Sequence, residues 1–132
     1  MHTKNVVFDM NNTPENVIVI PTPLWYFPTN DGYLSLGDKH LRSVKKIIER
    51  EQIQFDIIHS HFVWSAGFVG VQLKKNYSVP LVMTAHAYDV NDLPFRSKKW
   101  KNKIREVLLE ADHVITVCHK NEEYINRIQI DS

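Results

Sequence analysis

A chain of 132 residues is long enough for one domain that buries roughly two-thirds of its unfolded surface. A hydrophobic fraction of 43% and a charged fraction of 23% are those of an ordinary globular protein, and a net charge of +1 gives no whole-chain argument for nucleic acid or an acidic partner. The single cysteine, Cys118, excludes an intrachain disulfide and fits a reducing compartment. No apolar run has the length of a signal-peptide core or a membrane span, so a cytoplasmic location is expected.

In chain order, Asn5 to Phe8 and Val17 to Ile20 read as short strands, separated by a turn through Asn11–Asn16. The segment from Pro21 to Gly37 reads as irregular because of its prolines, Asn30-Asp31-Gly32 and Gly37. Its rings, Trp25, Tyr26, Phe27 and Tyr33, predict a loop packed on the domain's edge or over a site. Asp38 is expected to cap a helix to Arg50, with Leu41, Val44 and Ile48 on its apolar side. Asp56-Ile57-Ile58 opens a strand that stops at His59 and His61. Ser65 is placed to cap a helix to Lys75, and Leu81-Val82-Met83 forms a second strand that stops at Thr84 and His86. Ser97 precedes a helix from Lys98 to Ala111 with Trp100, Ile104, Val107 and Leu108 as its stripe. His113 to Val117 is a third strand, and Asn121 to Ile128 has helical spacing. The two central strands, continuously apolar, read as buried on both faces. The alternation predicts an α/β, Rossmann-like doubly wound parallel sheet in a single domain.

Ligands of such sheets bind beyond the carboxyl ends of the strands, where His59, His61, Thr84, His86 and Asp89 are expected to gather. His86 carries the strongest expectation, since a strand-end imidazole can bond a sugar hydroxyl or a phosphate near neutral pH. Its alternative is a structural histidine that holds the loop. His59 and His61, roughly 6.5–7 Å apart along a strand, point the same way. They could hold a metal if His86 or Asp89 supplied a third ligand, or simply satisfy the strand's mouth. Residues 96–105, RSKKWKNKIR, carry six basic side chains and no acidic one. Arg96, Lys98, Lys99 and Lys101 are expected either to meet an anionic membrane surface or to form a solvated face over a buried stripe. Cys118 is expected to be a buried, inert thiol. Neither G-x-G-x-x-G nor G-x-x-x-x-G-K occurs.

Three blocks carry a family resemblance. They are Asp56-Ile57-Ile58-His59-Ser60-His61-Phe62 with Ala66-Gly67; Val79-Pro80-Leu81-Val82-Met83-Thr84-Ala85-His86 with Asp89; and Ala111-Asp112-His113-Val114-Ile115-Thr116-Val117, followed by Cys118 where a serine is common. In order and spacing they resemble the N-terminal domain of glycosyltransferase family 4, the retaining GT-B enzymes that use nucleotide sugars. The resemblance implies an acceptor-side domain of a two-domain cleft, with His86 beside the transferred sugar and His59, His61, Thr84 and Asp89 on the cleft side. It implies a nucleotide-sugar donor, a glycan or lipid-linked acceptor in cell-envelope synthesis, an anionic membrane face beside the basic stretch, and no bound metal or other cofactor. The family's opening strand with its glycine-rich loop, and its second domain with paired glutamates, have no counterpart in these residues. The chain is therefore expected to be part of a glycosyltransferase that does not turn over donor alone. A stand-alone sugar, lipid or protein binding module, and a small metal-dependent hydrolase built on His59 and His61, are the alternatives.

Overall fold

The structure, a computed structural model, describes residues 12–130. Its elements are α1 (Asn30–Glu51), β1 (Ile58–His61), α2 (Phe68–Tyr77), β2 (Leu81–Ala85), α3 (Lys98–Glu110), β3 (His113–Thr116) and α4 (His119–Ile130). The strands pair in parallel in the order β1-β2-β3, with Ile58 opposite Leu81, His61 opposite Thr84 and Ala85 opposite Thr116. This is the α/β, Rossmann-like arrangement that the sequence predicts. The expected strand at Asn5 to Phe8 lies outside the described residues.

The register divides the side chains between two faces. Ser60, Leu81, Met83 and Ala85 are buried against the helices, whose Val71, Trp100, Ile104, Val107, Leu108, Ile125 and Ile128 complete the core. Leu81, Met83 and Leu93 have no exposed surface, and each contributes about 1.5–3 kcal/mol by burial. Gly70 lets α2 lie directly on the sheet: a Cβ there would stand 2.5 Å from Ser60 Oγ and 2.7 Å from Leu81 Cδ1. A smaller cluster of Ile48, Val69 and Leu73, with Leu41, Val44, Phe55 and Ile58 around it, joins α1 to α2.

The opposite face differs from expectation. His59 and His61 are exposed there, so β1 is not buried on both faces, whereas β2 keeps Thr84 buried on that side; His113 and Ile115 of β3 are exposed as well. The helices among the described residues all pack against the other side. Continuous apolarity therefore does not report two-sided burial here: Ile57 and Val117 flank the strands and are themselves 56% exposed.

Other boundaries shift for local reasons. Helix α1 starts eight residues before Asp38, because Thr29 Oγ1 accepts the Gly32 N–H at 3.1 Å as an N-cap. Gly37, read as a breaker, sits inside the helix where Trp64 and Phe68 pack on it; a Cβ would meet them at 2.8 and 2.9 Å. Among the described residues Val17 to Ile20 forms no strand, and Ile18 is 86% exposed. Strand β1 contains His59 and His61 instead of stopping at them. Ser65 caps nothing, since α2 begins only at Phe68, after a tight turn over Val63–Gly67. Cys118 is exposed, not buried. Helix α3 keeps its expected start, with Ser97 Oγ accepting the Trp100 N–H at 3.2 Å.

Candidate active site

Two connections fold over the carboxyl end of the sheet, the Val63–Gly67 turn after β1 and the segment from His86 to Phe95 after β2. Asp89 joins them. Its carboxylate accepts the backbone N–H groups of Val63 (3.0 Å), Trp64 (3.4 Å) and His86 (3.4 Å). Asp89 has no exposed surface, and burial pushes its carboxyl above the ordinary range against the pull of those three donors. Its oxygens are turned to the backbone, and it positions the loop that carries His86.

The histidines do converge. The rings of His59 and His61 lie 4.7 Å apart, and those of His61 and His86 lie 5.8 Å apart. His59 Nε2 is 2.9 Å from Thr84 Oγ1, a cross-strand bond that fixes the His59 ring and uses the Thr84 hydroxyl. Phe62 stacks on His86 with centroids 4.4 Å apart and planes 30° from parallel. Its backbone takes φ 74°, a region costly for a side chain with a Cβ, and its N–H donates to Thr84 O at 3.0 Å. His86 Nε2 lies out of solvent and has no hydrogen-bond partner. Buried polar atoms left so are rare and mark places that a ligand or water completes. Among the described residues no group of three His, Cys, Asp or Glu side chains is set to hold a metal ion.

Sequence reasoning missed His40. Helix α1 brings its Nδ1 to 2.9 Å from Ser65 Oγ, and burial pushes its pKa down, so the pair is neutral at pH 7. Nothing in the local sequence marks His40, which simply falls one turn from Gly37 on the face turned to Trp64. A cavity of about 450 Å3 lies between α1 and the β1 turn, where His40, Ser65, His61 and Phe62 meet Tyr26 and Tyr33. The aromatic loop therefore divides: Tyr26 and Tyr33 line this cavity, while Trp25 and Phe27 pack edge-on against each other and stay 75% and 61% exposed.

The basic stretch divides too. Arg96 lies over the Tyr88 ring at 5.3 Å and pairs with Asp92 at 2.8 Å, on the histidine side of the molecule. Lys98 and Lys101 line a separate groove of about 540 Å3 with Phe95, Asn102 and Arg105, and Lys99 is exposed. No described helix is long and apolar enough to cross a membrane.

A three-stranded parallel α/β sheet with histidines grouped at its carboxyl edge is the Rossmann-like half-domain that the sequence blocks suggest. The family model for Glycosyltransferase Family 4 matches residues 6–132, and the chain belongs to that family. A protein of Bacillus subtilis (strain 168), TuaC, whose name assigns it to glycosyl transfer in teichuronic acid biosynthesis, is 27% identical over 112 residues. That match covers 83% of this chain and 29% of the relative. An uncharacterized glycosyltransferase of Methanocaldococcus jannaschii, MJ1178, is 47% identical over 73 residues, covering 55% of this chain and 20% of the relative. The chain thus spans less than a third of the length of either relative.

Proposed function

We propose that this chain forms the acceptor-side wall of a nucleotide-sugar-dependent, retaining glycosyltransferase that builds a cell-envelope polysaccharide or glycolipid. In the reaction, the bond between the donor's anomeric carbon and its phosphate oxygen breaks. A bond from an acceptor hydroxyl oxygen to that carbon forms on the same face, and the hydroxyl proton leaves with the departing phosphate. His86 Nε2 hydrogen-bonds a hydroxyl of the transferred sugar, held in place by the Phe62 ring and by the Asp89 carboxylate beneath its backbone. His61 faces the acceptor, and the His59–Thr84 bond keeps the first strand's mouth in register. Stabilisation of the leaving phosphate falls to a second, nucleotide-binding domain outside these residues. Lys98, Lys99 and Lys101 hold the enzyme against the anionic cytoplasmic membrane face, where a lipid-linked acceptor lies.

The observation that carries this reading is the buried, unpartnered His86 Nε2 at the meeting point of the strand-end histidines. Family membership and the name of the B. subtilis relative support it. The test is nucleoside diphosphate release by the full-length protein from UDP-glucose, UDP-N-acetylglucosamine and GDP-mannose, with source-cell membranes as acceptor. His86→Ala is expected to cut release by about tenfold or more while circular dichroism is unchanged. Wild-type release by a folded His86→Ala protein would remove His86 from the site.

A further inference from the structure

The cavity beside His61 does not end at the tyrosines. A second cavity, of about 320 Å3, shares Tyr26, Tyr33 and Tyr88 with it and continues to Asn30 and Arg96. The three tyrosines form one wall, with Tyr33 5.7 Å from Tyr26 and 6.5 Å from Tyr88, backed by Trp100 at 5.6 Å from Tyr33. The wall is fixed from behind: Trp64 Nε1 donates to Tyr33 O at 3.0 Å, and Trp100 Nε1 donates to Asn30 Oδ1 at 2.6 Å. With its oxygen so engaged, Asn30 has its amide N–H groups left to offer.

The far end is rich in donors. Its lining holds the Arg96 guanidinium, the Asn30 amide and three phenols, and no carboxylate. Burial, and then the neighbouring Tyr88 to which it is hydrogen-bonded, push the Tyr33 hydroxyl up to about 12. Asp92 engages Arg96 through Nη2, and the Tyr88 ring lies beneath the guanidinium carbon; together they hold the fork in one orientation. A guanidinium has five N–H donors, so one carboxylate contact does not exhaust it. Aromatic faces with a few placed donors suit a ring that is apolar on its C–H face and polar at its edge.

We propose that this tyrosine groove is an outer acceptor subsite. It stacks the sugar unit next to the one being extended, and Arg96 pairs with an anionic substituent of that unit, a carboxylate or a phosphate. The inference rests on the glycosyltransferase reading and deepens it: the acceptor is an acidic glycan of at least two units, recognised on both sides of the tyrosines.

The test is titration calorimetry of the full chain with three probes: methyl β-D-glucoside, methyl β-D-glucuronide and glucose 6-phosphate. At least one anionic probe is expected to bind about tenfold tighter than the neutral one, and whichever does so identifies the substituent as carboxylate or phosphate. Arg96→Gln should bring that affinity down to the neutral value and leave the neutral probe unchanged. Tyr88→Leu should weaken all three, by about threefold or more. His86→Ala should keep the anionic preference, because the subsite is separate from the transfer point. Circular dichroism confirms that each variant is folded. Absence of an anionic preference, or its persistence in folded Arg96→Gln, overturns the subsite. Nucleotide-sugar turnover in the same preparation then shows whether the glycosyltransferase reading stands without it.

Discussion

Asp89 Oδ2 accepts the Val63 N–H at 3.0 Å and so ties the loop after β2 to the turn after β1, 26 residues earlier in the chain. The same carboxylate holds Trp64 and His86, so one buried side chain sets where His86 stands relative to Phe62. Asp89→Ala leaves buried N–H groups without an acceptor. It is expected to lower stability by about 3 kcal/mol in urea unfolding. An unfolding midpoint like that of the wild type would show that the three bonds contribute nothing net.

Phe62 combines a positive φ with a ring stacked on His86, so backbone and side chain ask for different residues. Both Phe62→Ala and Phe62→Gly remove the ring, but only glycine adopts this φ freely. Phe62→Gly is expected to melt above Phe62→Ala, by about 1 kcal/mol in stability. Both variants should release nucleoside diphosphate more slowly than the wild type if the ring holds His86. Equal melting of the two would mean that the backbone is not strained here.

Asp112 gives a pH dependence of definite sign. Its bond from Lys74 Nζ at 2.8 Å, and then the Leu81 N–H at 2.7 Å, hold its pKa below the ordinary carboxylate value. The stability it contributes is therefore complete above about pH 4 and is lost as pH falls through the depressed folded value. Asp89, whose folded pKa is raised, acts oppositely: its proton-linked stability is greatest below about pH 4 and declines as pH rises to its folded value. Thermal melts of Asp112→Asn from pH 7 to pH 2 should start below the wild type and converge with it at the acid end. Parallel curves would show that the Lys74 pair does not titrate with folding.

The lysines and Arg96 should separate in a membrane assay. Changing Lys98, Lys99 and Lys101 to glutamine is expected to weaken co-sedimentation with phosphatidylglycerol vesicles, with each charge near the surface worth about 1 kcal/mol at low salt. Added salt should have the same effect. Arg96→Gln should not change it, since Arg96 lies over Tyr88 on the histidine side. Undiminished sedimentation of the triple variant would remove the membrane role.

The candidate site was legible in part because strand ends are marked in sequence. Leu81, Met83 and Ala85 are apolar because they face helices, and where that run stops, Thr84 and His86 stand at the sheet's rim. Asp89 is equally visible in sequence, but its spacing from His86 is the same whether it faces a ligand or the backbone. Only the fold, by bringing Val63 and Trp64 under it, chose the second. His40 and Tyr88 carried no such mark. Their roles come from α1 and the β2 loop being packed side by side through Trp64 and Trp100.

By itself the sequence determined the α/β alternation, the stripe of α3, the strand-end histidines and the family, because each depends on periodicity or on short, ordered blocks. Tertiary structure alone decided that Gly37 is helical, that His59 and His61 stand exposed at the rim, that the Asp89 carboxylate accepts three backbone N–H groups, and that Arg96 lies over the Tyr88 ring. The physical reason is range. Periodicity and capping are set by residues within a turn or two of each other, whereas burial, orphaned donors and shared cavities depend on pairs such as Trp100 and Asn30, which are 70 positions apart.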